Sequence, residues 1–117
     1  MADNRYASLA QVILAQQSAN NTSASVSGTD AEILPTRLGK SLRIGLTITP
    51  LTAGVTVNVS LGDSPATTTK GFQLQPGQVF NQSANNAQEA TQTVWQGPVH
   101  AIATGAGTVA IVEQFVQ

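Results

Sequence analysis

The feature that most constrains this chain is a strict alternation of apolar and polar residues from Leu42 to Thr49. Leucine and isoleucine occupy every second position, and Arg, Gly and Thr lie between them. A period of two places alternate side chains on the same face of an extended chain, as in a half-buried β-strand. Pro50 ends the pattern, because proline cannot donate a hydrogen bond to a neighbouring strand.

Further segments of the same kind follow, separated by turn-forming residues. Val55 to Leu61 alternates in the same way, and we expect it to form an antiparallel hairpin with the first run. The remaining predicted strands are Thr67 to Leu74, a strand starting at Val79, Thr93 to Gln96, Val99 to Ala103 and Thr108 to Val116. Pro76-Gly77 and the hairpin turn Gly105 to Gly107 separate some of them. The spacing predicts an all-β fold, a small antiparallel β-sandwich or β-barrel of jelly-roll type.

The N-terminal quarter differs in kind from the rest. Tyr6, Leu9 and Ile13 are spaced as on one face of a short helix, whereas Gln16 to Gly28 is small, polar and poor in apolar groups. We therefore expect residues 1–28 to be an arm and linker, with the arm carrying the helix, and residues 29–117 to be the sandwich domain. The alternative is that Leu9 to Leu14 is another strand of the domain. The Asn- and Gln-rich stretch Asn81 to Gln92 is predicted to be an exposed loop.

The composition narrows the functional classes. The 117 residues include no cysteine, and 9% are charged with a net charge of -1. Disulfides and thiolate metal sites are excluded. Binding to nucleic acid is not expected, because the chain has few positively charged residues to contact phosphate groups. No secretion signal or membrane-spanning run is evident, so a soluble protein made in the cytoplasm is expected. A surface whose polarity comes from Ser, Thr, Asn and Gln suits dense packing beside many copies.

The residues that could perform catalysis are few and scattered. His100 is the single histidine, and no Gly-x-Ser-x-Gly motif or cluster of carboxylates accompanies it. His100 is interpreted as a residue on the outer face of a strand, with general acid–base chemistry as the alternative. We therefore expect no enzymatic activity, no cofactor and no metal.

Two aromatic residues are candidates for contacts with other molecules. Trp95 could be a core or rim aromatic, an anchor in an interface, or a platform for a sugar ring. Phe115 lies in a last strand whose two faces are both apolar, so that strand is either central in the sandwich or covered by a neighbouring subunit. Together with the arm residues Tyr6, Leu9 and Ile13, Trp95 and Phe115 are the predicted contacts with other protein subunits.

From Arg37 onward, the order of several segments resembles a family of small bacteriophage virion proteins, the capsid decoration or cement proteins. The matching segments are Arg37-Leu38-Gly39-Lys40-Ser41-Leu42-Arg43-Ile44, Val57-Asn58-Val59-Ser60-Leu61-Gly62-Asp63, Gly71-Phe72-Gln73-Leu74-Gln75-Pro76-Gly77, and Val99-His100-Ala101-Ile102-Ala103 followed by Val109-Ala110-Ile111-Val112-Glu113. The resemblance implies a β-domain, a dimer or trimer, that binds the major capsid protein in many copies on the outer surface of the virion, without catalysis. The alternative function is a carbohydrate-binding or adhesion module of a tail or head fibre.

Overall fold

A computed structural model describes residues 17–37, 41–62 and 65–116, and these residues form a two-layered β-sandwich with one short helix. The strands are β1 (Gln17–Val26), β2 (Ala31–Leu34), β3 (Leu42–Pro50), β4 (Val57–Leu61), β5 (Phe72–Leu74), β6 (Phe80–Ser83), β7 (Val99–Ala103) and β8 (Gly107–Val116). The helix α1 spans Ala87–Thr93. The predicted all-β sandwich is confirmed, and the sheets do not close into a barrel.

The strand order is that of a jelly roll. One sheet has the order β1-β8-β3-β6 and the other β2-β7-β4-β5, and every pair is antiparallel. The strand pairs β1·β8, β2·β7, β3·β6 and β4·β5 therefore alternate between the two sheets, as when one long hairpin is rolled up. We call the sheets the β1 sheet and the β2 sheet after their first strands.

The core lies between the two sheets and is built from the inward-facing residues that the alternation predicts. Leu46 and Ile48 of β3, Val57 and Val59 of β4, and Val109 of β8 are at most 1% exposed. Branched aliphatic side chains of this kind pack well against a pleated surface. β8 lies between β1 and β3, so the central-strand interpretation of the last strand is confirmed.

The prediction of a linker is wrong for residues 17–26, which form a ten-residue strand as long as β8. β1 pairs with β8 over ten consecutive residues, from Gln17 opposite Val116 to Val26 opposite Gly107. The low apolar content misled the prediction because β1 lies at the edge of its sheet, where Val26 is the one buried residue between Ser18 and Val26. The predicted helix containing Tyr6, Leu9 and Ile13 lies outside the described residues.

The predicted hairpins are also wrong. β3 and β4 lie in different sheets, and so do β7 and β8, so the segments Leu51 to Thr56 and Thr104 to Ala106 cross from one sheet to the other. Alternation identifies the buried face of a strand but not its neighbour, and nearness in sequence suggested the wrong pairing.

Between Thr67 and Gln96, the strands and the loop predicted from the sequence have different bounds in the structure. Thr67 to Leu74 contributes only the three-residue β5, and Thr93 to Gln96 is not a strand, since Thr93 ends α1. The predicted loop Asn81 to Gln92 contains most of β6 and of α1. α1 is stable against the sandwich because Ala90 is fully buried in the core.

The two ends of the sandwich differ. The start of β1, the end of β8 and the connections β2–β3, β4–β5 and β6–β7 meet at one end, which we call the terminal end. The connections β1–β2, β3–β4, β5–β6 and β7–β8 meet at the opposite end, where the Leu51 amide donates to the Thr108 carbonyl over 2.9 Å.

Candidate interaction surface

The outer face of the β1 sheet carries no charged residue among those that the structure describes. Most of its side chains are small or β-branched, and all its residues are exposed or half-buried except Gly45. They are Ala19, Asn21, Ser23 and Ser25 of β1, Thr108, Ala110, Val112, Gln114 and Val116 of β8, Leu42, Gly45, Thr47 and Thr49 of β3, and Asn81 and Ser83 of β6. We call this set the uncharged face.

The composition of the uncharged face suits contact with another protein surface. Threonine, serine and asparagine make hydrogen bonds, and they lose little side-chain entropy when they are immobilised compared with Lys or Glu. Thr47 already donates to Asn81 across neighbouring strands at 2.9 Å. Because removing a charge from water is costly, a face without charges is cheaper to desolvate than an ordinary surface.

The outer face of the β2 sheet is different, because it carries ionisable groups and is partly covered. Glu32, His100 and Ser60 lie in one row across the strands. Asn58 is only 6% exposed, and its amide donates to the Thr67 carbonyl in the β4–β5 connection at 3.2 Å. The sandwich therefore has one open uncharged side and one side that its own loops partly occupy.

Asp30 and His100 form the one described pairing of histidine with a carboxylate. The two groups are 3.0 Å apart, and Asp30 also accepts a 2.6 Å hydrogen bond from the Ala66 amide. The Ala66 hydrogen bond is the largest cause of a lowered pKa at Asp30, and His100 adds to it against the effect of burial. The pair anchors the β4–β5 connection to the β1–β2 connection. No group of three His, Asp or Glu residues that could hold a metal occurs in the described part of the chain.

A buried ionic cluster closes the terminal end. Glu113 and Arg43 are 1% and 0% exposed, and Arg43 Nη2 lies 2.8 Å from the Glu113 carboxylate. Arg37, a quarter of which is exposed, donates to the other Glu113 oxygen at 2.7 Å and lies over the Phe115 ring. Each carboxylate oxygen thus has a cationic partner, as a buried charge requires.

The three groups change one another's proton affinities. Burial acts to raise the pKa of Glu113, but hydrogen bonds and charge from Arg37 and Arg43 outweigh it, so the pKa of Glu113 is lowered. Burial lowers the pKa of Arg43, whereas the hydrogen bond with Glu113 raises the pKa of Arg37.

The same cluster fixes the segment that carries Trp95. Arg43 donates to the carbonyls of Trp95 and Gly97 at 2.6 and 3.3 Å. The Gln96 side chain accepts from the Arg43 amide at 2.8 Å and donates to the Arg43 carbonyl at 2.6 Å, as a neighbouring strand would. Residues 95–97, which are not in a strand, are thereby hydrogen-bonded to β3 through Arg43.

An open cleft of about 430 Å³ lies beside Trp95, lined by residues that include Leu61, Gln82, Thr91 and Gln92. Trp95 is 36% exposed, and its indole nitrogen donates to the Pro98 carbonyl at 2.8 Å. Gly97 lies so close to the indole that a Cβ at that position would be 2.6 Å from the ring. The ring is therefore held in one orientation at the rim of the sandwich.

Of the five contact residues predicted from the sequence, the structure describes Trp95 and Phe115. Tyr6, Leu9 and Ile13 lie outside the described residues. Trp95 is a rim aromatic at the terminal end, and its role as a contact stays a prediction. Phe115 faces the interior, is 7% exposed and is covered by Arg37, so its side chain offers little surface to a partner.

Sequence reasoning missed the partners Arg43 and Glu113, although one signal was present. Glu113 has the same parity in β8 as Val109, Ile111 and Phe115, and a carboxylate on a buried face needs a cation. Arg43 was harder to place, because a bulge between Arg43 and Gly45 shifts the register of β3 and turns Arg43 inward.

Comparison with known proteins gives little. No protein-family profile matches the sequence, and a search of curated proteins gives no match. One solved structure that aligns with the chain is described as "Bacillus endospore appendages form a novel family of disulfide-linked pili". The alignment covers 86% of each chain at 14% sequence identity and a TM-score of 0.49. A likeness at that level carries no argument about what this chain does.

Proposed function

We propose that this chain is a structural virion protein that decorates and stabilises a bacteriophage capsid by binding the major capsid protein in many copies. The observation that carries the proposal is the uncharged face, an open four-stranded surface of small polar and β-branched residues. Each copy would bury a modest interface between neighbouring capsid subunits, and the symmetry of the shell would repeat that gain.

The first experiment is co-sedimentation of the purified chain with capsid shells assembled from the major capsid protein of the same genome. We expect saturable binding with a fixed number of copies per capsomer. Shells that bind no copies at any concentration would overturn the proposal.

A matched pair of lysine variants tests the binding face. Gln114 lies near the middle of the uncharged face, and Gln73 lies on the outer face of the β2 sheet; both side chains are exposed. We expect Gln114→Lys to weaken shell binding at least about tenfold, because it takes an unpaired charge into the interface. Gln73→Lys should bind like the wild type, and equal binding by both variants would show that the uncharged face is not used.

A second candidate function, carbohydrate recognition, is favoured by the cleft beside Trp95. A fixed, part-exposed indole with the nearby amides of Gln82 and Gln92 offers a stacking surface and hydrogen-bonding groups, which is what a sugar ring needs. Trp95 is the single tryptophan of the chain, so its fluorescence reports on this cleft alone. A saturable fluorescence change with one glycan of a broad panel would support this function, and an unchanged signal throughout would exclude it.

A further inference from the structure

The four edge strands of the two sheets are not alike. β2 and β6 have four residues each and β5 has three, whereas β1 has ten. β2 also carries Glu32 and a register irregularity between Glu32 and Leu34. Short length, charge and bulges are the devices by which proteins prevent edge strands from pairing with other chains.

β1 has none of these devices. It contains no charged residue and no proline, and its pairing with β8 runs without a bulge from Gln17 to Val26. Within the described residues, β8 is the sole strand paired with β1, so the amides and carbonyls on its other edge have no strand partner. Ten residues of regular, neutral strand form a template for another strand.

We infer that two copies of this chain associate through their β1 strands, which pair antiparallel across a twofold axis. The two β1 sheets then become one continuous sheet of eight strands, in the order β6-β3-β8-β1-β1-β8-β3-β6. A second copy fits this edge better than an unrelated partner, because its own β1 strand has the same length, the same lack of charge and the same small side chains. The inference is independent of the proposed function.

The geometry of antiparallel pairing limits the register. Residues that lie opposite each other in an antiparallel pair project from the same face of the sheet. A twofold axis between two β1 strands must therefore pass between two copies of the same residue. For nearly full overlap of β1, that residue is Asn21 or Thr22. Nine residue pairs then form about nine backbone hydrogen bonds, a number typical of a stable interface. Serine, threonine, alanine and asparagine meet across the axis without like-charge repulsion.

The oligomeric state of the full chain is the first test, measured by sedimentation equilibrium up to about 500 μM, because a strand edge is smaller than a standard interface. We expect a monomer–dimer equilibrium in the wild type. Thr22→Lys places two positive charges near each other at the axis and should weaken the dimer at least about tenfold. A monomeric wild type, larger open-ended species, or a dimer that Thr22→Lys leaves unchanged would each overturn the inference.

Gln114→Lys is the charge-matched control, because Gln114 lies on the central strand β8 and not at the edge. It should leave the dimer intact. A dimer that this variant breaks while Thr22→Lys does not would be a contact between uncharged faces, which contradicts pairing through β1. Shell binding is measured separately, so the failure of either proposal is distinguishable from failure of the other.

Single-cysteine variants test the register, and the absence of native cysteine makes each variant unambiguous. Strand residues at the axis have Cα atoms close enough for a disulfide between the two copies. We expect either Asn21→Cys or Thr22→Cys to give a disulfide-linked dimer under mild oxidation. Ser83→Cys, exposed on the β6 edge, should give no disulfide-linked dimer. No link at either β1 position, or an equal yield at Ser83, would overturn the proposed pairing.

Discussion

At the scale of single residues, the terminal end depends on Glu113. Its carboxylate is buried where the alternation of β8 demands an apolar side chain, and Arg43 and Arg37 together neutralise it. Arg43 then extends the network to the backbone carbonyls of Pro35, Trp95 and Gly97. The connections β2–β3 and β6–β7 are thus both tied to one buried charge.

Replacing Arg43 with methionine should be strongly destabilising. Glu113 would keep only the partly exposed Arg37, and the loss is expected to be about 3–5 kcal/mol in the free energy of unfolding, as for one partner of a buried ion pair. Urea denaturation measures it. Arg37→Met, which leaves Arg43 on the carboxylate, should cost less, and an equal loss in both variants would contradict the central role of Arg43.

Acid should weaken the fold through the same carboxylate. The pKa of Glu113 is lowered in the folded state, so its contribution is complete above its unfolded pKa of about 4.3 and is lost as the pH falls through the folded value. Asp30, whose pKa is also lowered, acts in the same direction. The urea midpoint should therefore fall steadily below about pH 4.3. Glu113→Gln should flatten this dependence, and an unchanged slope in that variant would contradict the assignment.

At the scale of elements, the buried faces of β3, β4, β7 and β8 followed from period-two alternation, whereas β1 and α1 did not. β1 has too few apolar residues to show a face. α1 is seven residues long and buries only Ala90, so it has no apolar stripe of helical period. The sequence nevertheless caps the start of α1. The Asn86 side chain accepts a hydrogen bond from the Glu89 amide at 2.8 Å, and the Glu89 side chain accepts one from the Asn85 amide at 3.4 Å.

Asn86→Ala should therefore destabilise the protein by about 1 kcal/mol, the usual cost of losing an N-terminal cap. The shift is measurable as a lower urea midpoint. Asn85→Ala is the matched control, because only the backbone amide of Asn85 takes part in the cap. Equal shifts in the two variants would contradict the capping role of the Asn86 side chain.

At the scale of the whole molecule, strand neighbours could not be predicted. The pairing of β1 with β8 joins residues as far apart in the sequence as Gln17 and Val116, and no local pattern records that choice. The uncharged face could not be predicted for the same reason. The composition shows that few residues are charged, but the absence of charge from one face depends on which strands are adjacent. His100 and Glu32 lie together on the other sheet for the same reason.

An interface without charges should respond weakly to salt. Screening reduces attraction between charged groups but has little effect on hydrogen bonds and apolar contacts. If the uncharged face binds the capsid shell, its affinity should change less than about threefold between about 50 and 500 mM sodium chloride. Co-sedimentation over that range measures it, and a steep loss of binding with salt would point to a charged contact elsewhere.

The pairing of the first and last strands also bears on engineering. Gln17 lies opposite Val116, so the chain enters and leaves the sandwich at the terminal end, beside Trp95 and the ionic cluster. The opposite end carries only short crossings between sheets, and a Cβ at Gly105 would touch nothing within 4 Å. A foreign peptide inserted at Gly105 would project away from Gln17 and Val116, which makes that crossing the natural place for displaying an antigen or an affinity tag.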